Sequence, residues 1–420
     1  MVHKIKNFSE LNKNKAREDI LTIGEASLEA IDTEKIIKDS ISIKNQTLFI
    51  KDESFDLTKF KNIKVIGFGK ASCEASLALE KVIGARITQG ISLGVSTAAS
   101  EYIQTYEGTH PLPSAINTKI SHDILIMSQE ATADDLVLVV VSGGGSALLC
   151  WPETEREQSK TLYETFLKTG GSINELNIIR KHLSLLKGGG LAKALYPATV
   201  VGLIFSDIPG GHYDMIASGP TFKDTSTREN AVKLINKYNL GHFDLLETPK
   251  EDKFFEKVHN IALVSNDTAL SAMKTTAEKL GYEAKILTDQ NYDDAKTIIS
   301  KMQLALKRPG VILVGGEQSL VVVKTGGKGG RCSYATLQAL LQLGSKETFL
   351  FLASDGLDNG PSAGGIADEY TKNQALKLKL DIKDYLDRFD GFTFLEKTGD
   401  FLMTSKTNAN VSDLMVLLKE

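Results

Sequence analysis

The chain has 420 residues, 42% hydrophobic and 24% charged, with 49 basic against 53 acidic side chains and a net charge of −4. That balance excludes the basic face of a nucleic-acid binder, and the length predicts two domains rather than one core. The 35 glycines cluster in turns and prolines number only 9, which excludes collagen-like and disordered chains. The start, Met1-Val2-His3-Lys4-Ile5-Lys6, lacks the apolar stretch of a secretory signal. No apolar run approaches the roughly 18 residues of a membrane span. The expectation is a cytoplasmic protein without a membrane partner; homo-oligomerisation stays open. Cys73, Cys150 and Cys332 are far apart and lack CxxC spacing, so buried thiols are expected rather than a zinc site or disulfide framework.

An apolar face of Ile20, Ile23, Ala26, Ala30 and Ile31 predicts a helix over 13–31. Residues 49–57 read as a short strand or hairpin. Ile63-Lys64-Val65-Ile66 predicts a strand, followed by the turn Gly67-Phe68-Gly69-Lys70 and an alanine-rich helix over 71–82. Such a strand–turn–helix unit implies parallel strands. Further strands are expected at 91–95 and 136–141, the second running into Ser142-Gly143-Gly144-Gly145-Ser146. A helix over 178–187 ends at Gly188-Gly189-Gly190. A strand over 200–205 then delivers Ser206 and Asp207 at its carboxyl end, where open parallel sheets gather their sites.

The polar stretch 244–253 marks a boundary. Beyond it, 261–264 opens a second series that continues through Ser265-Asn266-Asp267 into a helix over 268–280. A strand over 284–287 and a helix over 293–306 follow. Strands at 311–314 and 320–323 are joined by Gly315-Gly316-Glu317-Gln318-Ser319, and a strand over 349–352 feeds Ala353-Ser354-Asp355-Gly356. The second half is thus α/β again, and its adjacent short strands predict a mixed sheet.

The glycine turns are where the chemistry concentrates. Glycine tolerates positive φ and has no side chain, so successive N–H groups can point at an anion. Lys70, after a strand and before a helix, could reach an anion held over the helix N-terminus. Ser142, Gly143, Gly144, Gly145 and Ser146 offer N–H donors and hydroxyls. Arg180, Lys181, His182 and Lys187 form a basic cluster ahead of Gly188 and Gly189; 180 and 187 share a helical face. A carboxylate or phosphate groups could lie there, with an ordinary solvated face as the alternative. Asp207 and Asp355 end apolar strands, where a charge is costly unless paired or metal-bound. With Glu317 they are the candidates to orient Mg²⁺ or accept a hydroxyl proton, although capping accounts for each singly. Asn266 joins the binding candidates. Arg331, closing Gly326-Gly327-Lys328-Gly329-Gly330, has the fork that holds phosphate or carboxylate oxygens in pairs. There is no GxxxxGK[ST], no third glycine after Gly67 and Gly69, and no GxSxG near Ser142 or Ser146.

Ordered blocks over nearly the whole chain resemble the glycerate 2-kinases of the glycerate kinase/MOFRL family, some of which carry an old hydroxypyruvate reductase label. The blocks are Gly67-Phe68-Gly69-Lys70-Ala71, Thr109-His110-Pro111-Leu112-Pro113, Ser142 to Leu149, and Ile178-Ile179-Arg180-Lys181-His182-Leu183-Ser184 with Lys187-Gly188-Gly189. Ser206-Asp207, Ala217-Ser218-Gly219-Pro220-Thr221, Gly315-Gly316-Glu317, Gly329-Gly330-Arg331 and Ser354-Asp355-Gly356 complete them. The resemblance implies a Rossmann-like parallel-sheet domain over 1–250 and a smaller MOFRL-like α/β domain over 251–420, enclosing a cleft. In that division the extreme C-terminus packs back on the first domain. It also implies an ATP- and Mg²⁺-dependent kinase acting on the 2-hydroxyl of D-glycerate, with Lys70 and Arg331 catalytic.

Three stretches depart from the family pattern. Cys332-Ser333-Tyr334 stand where Asn followed by Gln or Glu is usual, Gly211 replaces an aspartate, and the C-terminal block reads Thr404-Ser405-Lys406-Thr407-Asn408-Ala409-Asn410-Val411-Ser412-Asp413-Leu414. These bear on substrate and rate more than on fold. Alternative readings are a kinase for another small hydroxy acid or one giving 3-phosphoglycerate, an NAD(P)H-dependent hydroxypyruvate reductase, and a catalytically silent ligand-binding module.

Overall fold

The computed structural model describes residues 3–323, 326–407 and 409–420; Met1, Val2 and Asn408, named above, lie outside the described residues. The chain divides into two compact units, one of Thr33–Ser206 and His212–Leu263, the other of the chain up to Asp32, Asp207–Gly211 and Val264–Glu420. Among the described residues no helix is long and apolar enough to cross a membrane.

The first unit opens with an antiparallel sheet of β1 (Ile41–Lys44), β2 (Thr47–Ile50) and β3 (Glu53–Asp56), where a strand or hairpin was expected. Its main sheet contains β4 (Asn62–Phe68), β5 (Ile87–Gly94), β6 (Gln104–Glu107), β7 (Asp135–Ser142), β8 (Thr199–Phe205) and β9 (Val258–Val264), in the order β6-β5-β4-β7-β8-β9. The β5–β6, β4–β5, β4–β7 and β7–β8 pairs are all parallel. All eight residues of β7 are buried, as a Leu/Val run covered on both faces requires. From β4 the chain winds outward through β5 and β6, then returns to β7 on the other side of β4. The order reverses at the β4/β7 pair, and ligands of open α/β sheets sit at such a reversal, outside the carboxyl ends.

Sequence reading placed the strand at 261–264 at the head of the second series; β9 instead completes the first sheet. An apolar run does not say which sheet edge it will meet. The helix over 173–183 also starts earlier and ends sooner than expected, because Ser172 and Glu175 form a capping box and Leu183 is its last residue.

The second unit carries β10 (Ala284–Asn291), β11 (Gly310–Gly316), β12 (Glu347–Ala353), β13 (Gly364–Ala367), β14 (Phe401–Leu402) and β15 (Asp413–Lys419), ordered β10-β11-β15-β12-β13-β14. Only β10–β11 is parallel, so the expected mixed sheet is present. The C-terminal strand β15 lies inside this sheet, antiparallel to both β11 and β12. Residues 320–323, expected as a strand, are not one: Val321 is 79% and Val323 81% exposed. Both edges of β11 are already taken by β10 and β15, which leaves that run no place beside it.

The helix Lys15–Ala30 belongs to this second unit, with Gly24 against Leu350. Its Arg17 is fully buried and forms a fork to Asp368, with Nε and Nη2 each 2.7 Å from a carboxylate oxygen. Arg17 Nη1 donates to Asp400 at 2.8 Å, and Nη2 also donates to the Thr371 hydroxyl at 2.8 Å. All three cysteines are buried free thiols.

Candidate functional site

At the reversal of the parallel sheet, two glycine turns lock together. Gly69 has φ +123, and a Cβ there would lie 2.2 Å from Ser142 Oγ, so only glycine allows this approach. The Lys70 N–H donates to the Gly143 carbonyl at 2.8 Å, and the Ala71 N–H to Ser142 Oγ at 3.1 Å. The second turn faces the Lys70 side chain. A Cβ on Gly144, whose φ is +78, would lie 3.0 Å from both Lys70 Cγ and His110 Cδ2. Among the described residues, the N–H groups of Gly144, Gly145 and Ser146 donate to no protein acceptor. They form a nest of donors with a lysine stem over it.

Other elements complete this group. Ser146 Oγ lies 2.9 Å from Ser218 Oγ, which donates to Asn177 Oδ1 at 3.1 Å. Ala217 and Ser218 have φ +51 and +61, a conformation costing non-glycine residues roughly 1–2 kcal/mol each. Strain of that kind concentrates at functional sites. Asn177 and Arg180 are three apart on the helix Ile173–Leu183 and share a face. Burial lowers the Arg180 pKa below its ordinary value. Among the described residues neither Arg180 nor Lys70 has a carboxylate in ion-pairing range. Burial, then the Lys70 and Arg180 charges, push His110 down to about 4, so its ring is neutral at pH 7. Two unpaired cations, three free N–H groups and a neutral imidazole suit an anion.

Not every expected member of this set faces that space. Lys187 is 1% exposed and ion-paired with buried Glu155. The Gly188 and Gly189 N–H groups donate to the Ser218 and Gly219 carbonyls at 2.9 and 2.8 Å. The two glycines hold the strained Ser218 segment in place, and the donors of all three residues are spent on protein. Lys181 pairs with Asp224 at 3.2 Å. His110 was missed as a site residue; its signal was the Thr109–Pro113 block, whose chemistry is visible only beside Lys70.

The second unit holds the remaining candidates, of which Glu317, Arg331 and Asp355 line a cavity of about 520 Å³. Arg331 lies there but is not a bare cation: its Nε donates to Asp413 at 2.9 Å and Nη2 to Glu317 at 3.4 Å. Burial, against the pull of Arg331, pushes the Asp413 carboxyl up to about 7. Asp355 also lines the cavity and accepts the Leu357 N–H at 3.0 Å. The helix Arg331–Gln342 begins at this cavity, but Asp358 takes its amino-terminal donors. That carboxylate accepts the N–H groups of Gly330, Cys332 and Ser333 at 3.1, 3.0 and 2.6 Å. The turn ending at Arg331 therefore offers an anion less than its glycines suggested. Asn266 donates to the Asp289 carbonyl and is buried beside Gly315. Asp207, in the segment Asp207–Gly211, is partly exposed. Among the described residues no three His, Cys, Asp or Glu side chains converge as a ready metal cage. Mg²⁺ is commonly held by one or two carboxylates plus phosphate oxygens, so Glu317 and Asp355 still fit it by chemistry.

A family model described as a domain of unknown function (DUF4147) matches residues 19–246, and the MOFRL family model matches residues 310–413. The D-glycerate 2-kinase of Thermotoga maritima is 32% identical over 91% of this chain and 96% of its own. The glycerate 2-kinase of Pyrococcus horikoshii is 29% identical over 94% and 95%. A crystal structure of the Thermotoga maritima glycerate kinase superposes with a TM-score of 0.84 at 30% identity, covering 95% of this chain and 98% of that one. The chain belongs to the glycerate kinase/MOFRL family.

The departures from the glycerate kinase/MOFRL pattern have local explanations. Ser333 adds its hydroxyl, 2.5 Å from Asp358, to the cap of its own helix. Cys332 is fully buried in the core, and Tyr334 stacks on Phe389 with ring centroids 5.8 Å apart. Gly211 has φ +74 directly after Gly210 at +84, a pair of left-handed residues that favours glycine over aspartate. In the C-terminal block, the Thr407 hydroxyl donates to the Ser354 carbonyl at 2.6 Å and the Val411 N–H to Ser354 Oγ at 2.8 Å.

The cradle at Gly144 has a direct test. Gly144→Ala puts a methyl into the Lys70 and His110 side chains at a left-handed φ, and is expected to abolish anion binding. Inorganic phosphate titrated by NMR reads this; wild-type affinity in the variant contradicts the cradle.

Proposed function

We propose that this chain transfers the γ-phosphoryl group of ATP to the 2-hydroxyl of D-glycerate, giving 2-phospho-D-glycerate, with Mg²⁺ as the accompanying ion. One observation carries most of the reading: Lys70 and Arg180, without carboxylate partners among the described residues, flank free N–H groups at the reversal of a parallel sheet. Phosphoryl transfer depends on positioning and charge stabilisation rather than on covalent chemistry by the protein. The Lys70 ammonium and the Gly144–Ser146 donors stabilise negative charge on phosphoryl oxygens, and Arg180 and Asn177 offer donors to a carboxylate. His110, neutral, accepts a hydrogen bond from a hydroxyl. Mg²⁺, when bound with nucleotide, supplies further charge neutralisation, and Glu317 and Asp355 are the side chains suited to hold it. Arg331 as a charge stabiliser and Asp207 as acceptor of the hydroxyl proton belong to the same proposal, tested singly by Arg331→Lys and Asp207→Asn.

The deciding experiment incubates the purified protein with ATP, Mg²⁺ and a panel of hydroxy acids and identifies the product by ³¹P NMR. A 2-phosphoglycerate signal is expected. A 3-phosphoglycerate signal moves the transfer to the other hydroxyl, and NAD(P)H oxidation by hydroxypyruvate without ATP use replaces the reading with a reductase. The free enzyme should also show His110 titrating near 4, moving up toward the ordinary 6.5 when phosphate binds and offsets Lys70 and Arg180. Imidazole NMR shifts report it, and an unchanged midpoint would place the anion elsewhere.

A further inference from the structure

In the parallel-sheet unit, Ser146, Ser218 and Asn177 form a hydrogen-bonded chain with a direction, and that direction decides which face of an amide meets a ligand. Ser218 is fully buried at φ +61. Its Oγ donates to Asn177 Oδ1 at 3.1 Å and lies 2.9 Å from Ser146 Oγ. A hydroxyl carries one hydrogen and two lone pairs. Ser218 gives its hydrogen to the amide, so Ser146 supplies the hydrogen of the other bond. The chain therefore runs from Ser146 through Ser218 to Asn177, and it leaves the Asn177 NH₂ directed away from Ser218. Asn177 is buried, yet its Nδ2 has no protein partner among the described residues and is not sealed from water. It shares a helical face with Arg180, three residues on.

Left to itself, the amide would turn the other way. Arg180 has donors to spare, and an amide oxygen facing a guanidinium makes a charge-assisted bond. Among the described residues, the Ser218 hydroxyl is the one group that holds this oxygen inward. The backbone keeps Ser218 where it can do so, since the Gly188 N–H holds the Ser218 carbonyl at 2.9 Å and the Gly189 N–H holds the next one at 2.8 Å. An outward NH₂ donates to a carboxylate, whereas an outward amide oxygen repels it.

We infer that Ser218 is a positioning residue: it fixes the Asn177 amide with its NH₂ toward the ligand and so makes this site select an ionised carboxylate over the neutral carboxamide. The inference rests on the kinase reading above for the identity of the acid, D-glycerate. Ser218, fully buried, acts through Asn177 rather than by touching the ligand.

Calorimetry with D-glycerate and D-glyceramide on the full chain, beside steady-state kinetics, tests this in wild type, Ser218→Ala, Ser218→Gly, Asn177→Ala and the double variant Ser218→Ala/Asn177→Ala. Without the hydroxyl the amide oxygen turns toward Arg180. Ser218→Ala is therefore expected to weaken D-glycerate binding about tenfold, the size of one hydrogen bond to a charged group. KM should rise by a similar factor with a smaller change in kcat. D-glyceramide, which can offer an N–H to the turned oxygen, should change little. Ser218→Gly removes the same hydroxyl and suits the left-handed φ, so it gives the same readout if the alanine variant fails to fold. The double variant should bind D-glycerate no more weakly than Asn177→Ala, because Ser218 acts only through that amide. Equal losses for both ligands, losses that multiply in the double variant, or wild-type D-glycerate affinity in Ser218→Gly would each overturn the assignment. So would a wild-type protein that does not bind D-glycerate. Binding needs no turnover: absence of phosphoryl transfer by wild type would sink the kinase reading, and the ratio of the two affinities would still decide the role of Ser218.

Discussion

Lys70→Ala is expected to lower kcat for glycerate phosphorylation by about 10²–10³-fold, the usual loss when one preorganised donor to developing charge is removed. Its backbone stays bonded to Gly143 whatever the side chain, and the ammonium has no ion-pair partner among the described residues. The variant should therefore melt within about 2 °C of wild type. Steady-state kinetics beside a thermal melt give both readouts, and wild-type turnover would remove Lys70 from the chemistry. Arg331→Ala is a less clean companion. It strips the charge partner from Asp413, which is 3% exposed, so a fall in rate would mix with a fall in stability. Arg331→Lys keeps a cation beside Asp413 while removing the fork, and is the better probe of charge placement.

Arg17→Ala is expected to destabilise the mixed-sheet unit by about 3–5 kcal/mol, the cost of stranding buried charges. The loss is large because three hydrogen bonds to two carboxylates and one to Thr371 vanish together. Against a typical total of about 5–15 kcal/mol, this brings the unit near its threshold. The deficit should also depend on pH. Burial already raises the Asp400 carboxyl, and without Arg17 it rises further above its unfolded value. A carboxyl raised in the folded state favours folding at low pH, and that contribution is lost as pH rises through the folded-state value. The Arg17→Ala penalty should thus be larger at pH 8 than at pH 5. Urea unfolding at both values measures it; a penalty below about 1 kcal/mol, or the opposite pH trend, would mean that water reaches the site.

Local signals made much of this molecule legible. The Val/Leu run at β7 and the glycine turn after β4 are short-range patterns, so strand, turn and following helix could be placed from neighbouring residues. The link between Lys70 and the Gly143–Ser146 turn was only half visible. Each turn was an anion-site candidate, but their mutual lock arises because β4 and β7 are neighbours, with about seventy residues between the two turns. His110 and Ser218 join through further crossovers. Neither shows at its own position that it ends beside a cation or a serine hydroxyl.

Elsewhere similar local patterns separated in space. Lys187 and Arg180 share a helical spacing, yet the helix ends at Leu183, and Lys187 turns inward to Glu155. Residues 320–323 and 414–418 are both apolar runs, but only the second found a place in the sheet, between β11 and β12. The amino acids alone settled the α/β class, the type of most elements and the places of the glycine turns, because those depend on backbone preference and periodicity within a few residues. Pairing in three dimensions settled which cations stay free, which glycine N–H groups stay open, and which run becomes a strand. Those outcomes depend on partners brought from distant parts of the chain, and a charge or donor is available to a ligand only where no such partner claims it.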